Sequence, residues 1–252
     1  MEVNYIAIYD DSPSAKYVYV SDSVQEVLGY APNEMVGTEG YKLTHPDERE
    51  ALRIIHTFNC TNQRVSCIVT NRILHKDGYY VTLDTVVNYC YNVIVCTCFV
   101  SNSARKRKMR TISADANYVI QPDGSIQTEA KIPSNISWTN FIQEPRFCLI
   151  LNRYSELAYI VFATSRCEDM VCLNQIESIG TSLYDYVARE DYELVKEQIE
   201  VTKREDIIAK VKFRWLIPKQ EPQALEAVIS STYDGLVMVL RFVEDVTVRG
   251  IV

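Results

Sequence analysis

An internal repeat is the feature that most constrains the fold of this chain. When the sequence is shifted by 143 residues, "AKYVYVSDSVQEVLGYAPNEMVGTEGYKL" from Ala15 aligns with "AYIVFATSRCEDMVCLNQIESIGTSLYDY" from Ala158. Identities are few, such as Tyr41 with Tyr184, but the hydrophobic pattern stays in step from Tyr5 to Val100. A long pattern shared at one offset predicts two diverged copies of one domain.

Each copy predicts the same order of secondary structure. Two short β-type runs are followed by short helical segments and then by a longer helix, over Pro46–Phe58 in the first copy and about 190–203 in the second. Three strands close each copy, at about 64–74, 80–90 and 93–101, and at 207–217, 224–232 and 236–243. This order predicts an α+β fold, in which each copy is a five-stranded antiparallel sheet with helices on one face.

The repeat sets the predicted domain boundaries at 1–102 and 148–247, with a partly ordered linker over 103–147 and a C-terminal extension over 248–252. The linker opens with a basic run, which is typical of a nuclear-import signal and equally of a solvated linker. The nuclear-import candidates are Arg105, Lys106, Arg107, Lys108 and Arg110.

Composition narrows the class of protein. The 252 residues carry a net charge of −7, and an acidic chain is a poor candidate for direct nucleic-acid binding, which needs clustered Lys and Arg. No apolar run reaches the ~18–20 residues that cross a membrane. Eight cysteines without a C-x-x-C motif predict free thiols in a reducing compartment, so we expect the chain in the nucleus or cytoplasm.

Several strings resemble PAS domains. In the first copy they are "VSDSVQEVLGYAPNEMVG", "HPDERE" and "ILHKDGYYVTL", and in the second copy "EPRFCLILNR" is similar to PAS domains of fungal white-collar regulators. The string "EDVT" resembles the element that couples a PAS core to the next part of a longer protein, which implies a signal-coupling role for Asp245 and Thr247.

Two PAS copies with such a linker also resemble the sensory and dimerisation part of basic helix-loop-helix PAS transcription regulators. The resemblance implies a tandem PAS module in signalling or transcription regulation. The implied partner is another PAS-domain protein, in a homodimer or heterodimer. The resemblance also allows a second hypothesis, a sensor that holds haem, flavin or a metabolite inside one PAS core.

The segment "YKLTHPDEREAL" concentrates a histidine and several acidic residues. Its residues 44–47 match the spacing of a helix-capping box with proline at the first helical position. The second copy keeps the acidic helix start but has Ala188 in place of His45. A metal site would also need further His or Cys ligands. The segment therefore predicts the start of a helix and no metal site.

His56 is the one candidate cofactor ligand, because it lies near the place where some PAS domains ligate haem. The alternative is a packing or surface role, and the second copy has Ile199 at this position, which indicates a core-facing site in at least one copy. The Gly-x-Asn-Cys-Arg-Phe-Leu-Gln string of light-sensing LOV domains is missing, so no flavin–cysteine adduct is expected. No nucleophile–base pair is recognisable, and we expect neither catalysis nor a required cofactor.

The last strand of each copy predicts an apolar outer sheet face. Strand alternation places Val237, Val239 and Val243 on the face away from the helices. The repeat maps them onto Ile94, Cys96, Cys98 and Val100. Such a face predicts a partner surface, or equally an internal cover. The same offset sets Arg72 opposite Trp215, and a one-residue slip in the turn after Lys76 is the predicted cause.

Overall fold

The computed structural model describes residues 3–62, 64–90, 92–132, 144–205 and 207–243. The chain forms two compact units, Met1–Gln143 (unit 1) and Glu144–Val252 (unit 2). The signal-coupling candidates Asp245 and Thr247 lie outside the described residues. Within the described ranges, no helix is long and apolar enough to span a bilayer.

Unit 1 is a mixed sheet with helices. Its elements are β1 (Asn4–Asp10), β2 (Tyr17–Val20), α1 (Val24–Leu28), α2 (Pro32–Met35), α3 (Arg49–Thr61), β3 (Ser66–Leu74), β4 (Tyr80–Cys90), β5 (Val93–Val100), α4 (Ala104–Ser113), β6 (Ala116–Ile120) and β7 (Ile126–Thr128). The strand order is β2-β1-β5-β4-β3-β6-β7, and all neighbours are antiparallel except β3 and β6.

The sheet of unit 1 has seven strands instead of the predicted five, because part of the predicted linker folds onto it. The Asp115 carboxylate accepts hydrogen bonds from the backbone N–H groups of Val65 and Ser66, at 2.9 and 3.1 Å. The Tyr118 hydroxyl donates to Asn59 Oδ1 at 2.7 Å in the core. These bonds make α4, β6 and β7 part of unit 1.

Unit 2 repeats the first five strands of unit 1. Its elements are β8 (Arg146–Leu151), β9 (Ile160–Ala163), α5 (Arg166–Val171), α6 (Tyr192–Glu205), β10 (Ile208–Trp215), β11 (Gln223–Ser231) and β12 (Leu236–Phe242). The antiparallel order β10-β11-β12-β8-β9 corresponds to β3-β4-β5-β1-β2. The predicted α+β class is confirmed in both units.

The two units are related by two offsets rather than one. The carboxylate of Glu48 accepts from the backbone N–H of Arg72 at 2.7 Å, and that of Asp191 accepts from the backbone N–H of Arg214 at 2.8 Å. The acids lie 143 residues apart, but the arginines lie 142 apart. The slip therefore falls between α3 and β3, and its predicted place after Lys76 is wrong.

The slip reverses the predicted face of β5, because successive strand residues point to opposite faces. Ile94, Cys96 and Cys98 belong to the hydrophobic core of unit 1, so their predicted outer position is wrong. Val237 and Val239 are outside the core cluster of unit 2, as predicted, but both are 0% exposed. None of these five side chains is available on the surface of the folded chain.

Candidate functional site in the core of unit 1

The core of unit 1 contains a cavity of about 80 Å³. It lies among β1, β3, β4, β5, α3 and the 3-10 turn Gly40–Leu43. Its apolar walls are Ala15, Leu52, Ile55, Val69, Ile73, Leu83, Val87 and Ile94. Its remaining lining residues are Tyr5, Tyr9, Gly40, Tyr41, Thr44, His56, Asn71, Thr85, Tyr89, Cys96 and Cys98.

Three polar atoms that line the cavity have no hydrogen-bond partner within the described ranges. They are the Tyr41 hydroxyl, the Thr44 hydroxyl and the Asn71 amide nitrogen. Their residues are only 4%, 1% and 4% exposed. A buried polar group without a partner costs about 1–3 kcal/mol, so the cavity holds unmet hydrogen-bonding capacity.

Backbone pairing brings these groups to one end of the cavity. Thr44 forms an isolated antiparallel bridge with Ile73, and the backbone N–H of His45 donates to the Arg72 carbonyl at 3.0 Å. Asn71 lies two residues before Ile73 and shares its face of β3. The turn that carries Thr44 is therefore fixed against the strand that carries Asn71.

A glycine places Tyr41 in this turn. A Cβ atom on Gly40 would lie 2.6 Å from the Ala15 carbonyl oxygen and 2.9 Å from the Tyr9 ring, so only glycine allows this close approach. Burial raises the pKa of Tyr41. Its hydroxyl therefore keeps its proton at neutral pH and can donate into the cavity.

His56 also lines the cavity and is 7% exposed. Its ring packs edge-on against Tyr41 with centroids 6.4 Å apart, and its Nε2 lies 3.9 Å from the Cys60 thiol. Burial lowers the pKa of His56 to about 4, although Asp10 opposes the shift. The imidazole is therefore neutral near pH 7, and its predicted packing role in the core agrees with this burial.

The cavity is lined without formal charge. The described lining residues include no Asp, Glu, Lys or Arg. Burial raises the pKa of the Cys98 thiol to about 11 and that of Cys96 well above its usual range. Both thiols are therefore protonated and poor nucleophiles at neutral pH.

Unit 2 carries larger apolar side chains at the equivalent positions. Trp215 is fully buried, stacks on Tyr186 with centroids 5.2 Å apart and meets the Phe147 ring edge-on at 5.8 Å. With the two offsets applied, the equivalent pairs are Thr44 and Val187, His56 and Ile199, Asn71 and Phe213, Ile73 and Trp215, Cys96 and Met238, and Cys98 and Leu240. The space that is open in unit 1 is occupied by side chains in unit 2.

The acidic helix start is structural, as predicted, but Thr44 is not its cap. The His45 ring Nδ1 accepts from the Asp47 backbone N–H at 3.3 Å. Glu48 is 1% exposed and pairs with Arg72 across to β3. No cluster of three or more His, Cys, Asp or Glu suited to a metal ion occurs within the described ranges.

The basic run forms most of α4 and is partly committed to packing. The Arg110 guanidinium lies 3.7 Å from the centroid of the Phe99 ring and is 1% exposed. Arg107 pairs with the buried Asp84 at 3.5 Å. The other three basic side chains of the run, at positions 105, 106 and 108, are exposed or half-buried, and nuclear import stays a prediction. Of the predicted interface residues, Val100 and Val243 are half-buried.

Comparison with known proteins supports a PAS assignment for unit 1. Residues 17–93, from β2 to the first residue of β5, match the family model described as the PAS fold. Basic helix-loop-helix ARNT-like protein 2 of Mus musculus is 31% identical over 70 residues, and that of Gallus gallus is 32% identical over 68 residues. The matches cover 28% and 27% of this chain, but only 12% and 11% of those proteins.

Similar solved structures include a LOV protein from Rhodobacter sphaeroides, with a TM-score of 0.37, 13% identity and coverage of 41% of this chain and 63% of that one. Another is the N-terminal domain of a diguanylate cyclase with a PAS/PAC sensor from Marinobacter aquaeolei, with a TM-score of 0.34, 16% identity and coverage of 38% and 94%. The resemblance to fungal white-collar regulators stays a prediction. Unit 1 therefore contains a PAS domain, and unit 2 repeats its order of five strands.

Proposed function

We propose that unit 1 is a sensory PAS domain that binds a small molecule in its core cavity, within a tandem PAS module of a signalling or transcription regulator. The observation that carries this proposal is the group of three buried polar atoms, on Tyr41, Thr44 and Asn71, that line one cavity without partners. A bound molecule that paired with them would offset their desolvation cost. It would thereby stabilise the folded state of unit 1.

The size of the cavity argues against a large cofactor. Its volume of about 80 Å³ is well below the ~300–1,000 Å³ of ordinary ligand pockets, and haem or flavin would need the core to open. The protonated thiols and the neutral imidazole also favour binding over catalysis. We therefore expect the purified protein to be colourless and the site to bind without reacting.

Cavity filling tests the proposal. The variant Cys96→Met introduces the side chain that unit 2 has at the equivalent position, Met238, and should fill the cavity. Cys172→Met makes the same chemical change at an exposed thiol and serves as the control. Thermal unfolding in the presence of a collection of small uncharged metabolites should reveal compounds that stabilise the wild type and the control but not Cys96→Met. Equal stabilisation of all three proteins, or of none, would contradict binding in this cavity.

Partner association is a second candidate, favoured by exposed apolar pairs on the edge strands. Val18 and Tyr19 on β2 are 48% and 45% exposed, and Val161 and Phe162 on β9 are 47% and 36% exposed. The same positions are apolar and exposed in both units, although an edge strand usually carries charge against unwanted pairing. These edges, and not the buried sheet faces, are the surfaces we propose for a PAS-domain partner.

Light scattering of the full chain tests this association with a second copy. Phe162→Lys should lower the apparent mass at high protein concentration, because it places a charge on the edge strand of unit 2. Met109→Lys changes another exposed apolar side chain, 39% exposed on α4, and is the matched control. An unchanged mass for Phe162→Lys, or an equal loss for both variants, would contradict an edge-strand interface.

A further inference from the structure

We propose that the ligand of the unit 1 cavity is an uncharged molecule that presents a hydrogen-bond acceptor beside a small apolar group. This inference rests on the proposed function, since it assigns a chemical class to the ligand of the same cavity. Three properties of the lining carry it: the absence of charge among the described lining residues, the donors at one end, and the apolar remainder.

The first property excludes ions. The cationic groups nearest the polar end are directed elsewhere. The Arg49 guanidinium donates to the carbonyl oxygens of Thr44 and Lys42, at 3.1 and 3.0 Å, and the Arg53 guanidinium lies 5.1 Å from the centroid of the Tyr41 ring. Neither arginine lines the cavity. An ion inside would lose its hydration without gaining a counter-charge, which is strongly unfavourable.

The second property selects an acceptor. The amide nitrogen of Asn71 is a donor only, whereas the hydroxyls of Tyr41 and Thr44 can each donate or accept. A ligand carbonyl oxygen has two lone pairs and can accept from the amide and from one hydroxyl. A ligand that only donates would leave the Asn71 nitrogen unpaired, at a cost of about 1–3 kcal/mol.

The third property limits size and favours an apolar body. The walls opposite the polar end include Leu52, Ile55, Val69 and Ile94, all buried or half-buried. A cavity of about 150 Å³ in another protein accepts benzene, so a cavity of about 80 Å³ suits a molecule of roughly three to six non-hydrogen atoms. A short aliphatic amide or ketone has this size and shape.

Four probes of similar size separate the alternatives. Propionamide is uncharged and carries a carbonyl acceptor, propionate is an anion, propylammonium is a cation, and xenon is apolar without an acceptor. The full ¹⁵N-labelled chain would be titrated with each probe while the side-chain amide signal of Asn71 is followed by NMR. The variant Asn71→Leu identifies this signal by its loss.

The expected result is a saturable shift of the Asn71 signal with propionamide, at a dissociation constant at least about tenfold lower than for either ion. Xenon shifts should appear on the methyl groups of the apolar walls. Thr44→Val, which introduces the residue that unit 2 has at this position, should weaken propionamide about three- to tenfold and leave xenon binding unchanged. This variant also serves if Asn71→Leu does not fold.

The outcomes separate the two proposals. Binding of propionate or propylammonium as tight as that of propionamide would overturn the uncharged class while leaving a ligand site in unit 1. Xenon binding without propionamide binding would overturn the acceptor requirement, again leaving the cavity. If no probe, including xenon, perturbed unit 1, both the ligand class and the proposed sensory function would be wrong.

Discussion

Exchanging one core residue between the two units should change their stabilities in opposite directions. Cys96→Met adds two carbon atoms beside the cavity of unit 1, and at ~0.8 kcal/mol per buried CH₂ their transfer from water contributes up to about 1.6 kcal/mol. The cavity volume of about 80 Å³ sets a similar ceiling of about 2 kcal/mol, from ~24 cal/mol per Å³. We expect Cys96→Met to raise the free energy of unfolding of unit 1 by about 1 kcal/mol.

The reciprocal variant Met238→Cys should do the opposite in unit 2. Met238 is 0% exposed and lies in the core with Trp215 and Phe213. Removing two carbon atoms there loses about 1.6 kcal/mol of transfer free energy and leaves a void, for a total cost of about 2–3 kcal/mol. The same chemical exchange therefore has opposite signs in the two copies of one fold.

Hydrogen exchange measured by mass spectrometry under increasing guanidinium chloride resolves the two units, because peptides from β5 and β12 report on unit 1 and unit 2 separately. A filled core in unit 1 would give a different outcome. Overpacking would then make Cys96→Met destabilising by about 1–3 kcal/mol. That sign would refute the cavity and the contrast between the units.

Three further changes test other contacts. Burial lowers the pKa of His56 to about 4 from 6.5, so the folded state binds fewer protons between these values. Stability should therefore fall by up to about 3 kcal/mol as the pH falls through this window, and His56→Ile should remove the fall in acid denaturation curves. Asp191→Asn should cost about 1–2 kcal/mol near pH 7, since Arg214 is partly exposed. Arg214 lowers the pKa of Asp191, so this stabilisation is present above the unfolded-state pKa and should vanish as the pH falls through the folded-state pKa. Tyr118→Phe removes the bond to Asn59 and should cost about 1–2 kcal/mol, with faster amide exchange in β6.

The repeat made the architecture predictable, but not the register of its strands. One offset describes the helices, where Tyr41 and Tyr184 or His56 and Ile199 occupy equivalent places. A loop one residue shorter before β10 than before β3 is invisible in the hydrophobic pattern, since buried strands are apolar on both faces. Because the side-chain period of a strand is two, this single residue reversed the predicted face of Cys96.

An acid–arginine pair could have fixed the register from the sequence. Glu48 and Asp191 each start the long helix of their copy, and each bonds to an arginine on the next strand of the chain, Arg72 or Arg214. Aligning the two arginines would have placed the slip before β3. Nothing local predicts β6, because it pairs with β3, nearly 50 residues earlier in the chain, and such non-local pairing leaves no short-range pattern.

The cavity itself was beyond sequence reasoning for a related reason. It depends on the simultaneous presence of small or polar residues on several elements, including Thr44, Asn71, Cys96 and Cys98. Each of these is an ordinary residue when taken alone. Their shared meaning emerges only when the corrected register sets them opposite the bulky residues of unit 2.

A crystal structure of the full chain soaked with propionamide tests the presence of a ligand site in unit 1 most directly. We predict electron density for the amide inside unit 1, with its carbonyl oxygen within about 3.2 Å of the Asn71 amide nitrogen, and an unchanged core in unit 2. A unit 1 core closed by its own side chains, or propionamide bound in unit 2 instead, would contradict this prediction.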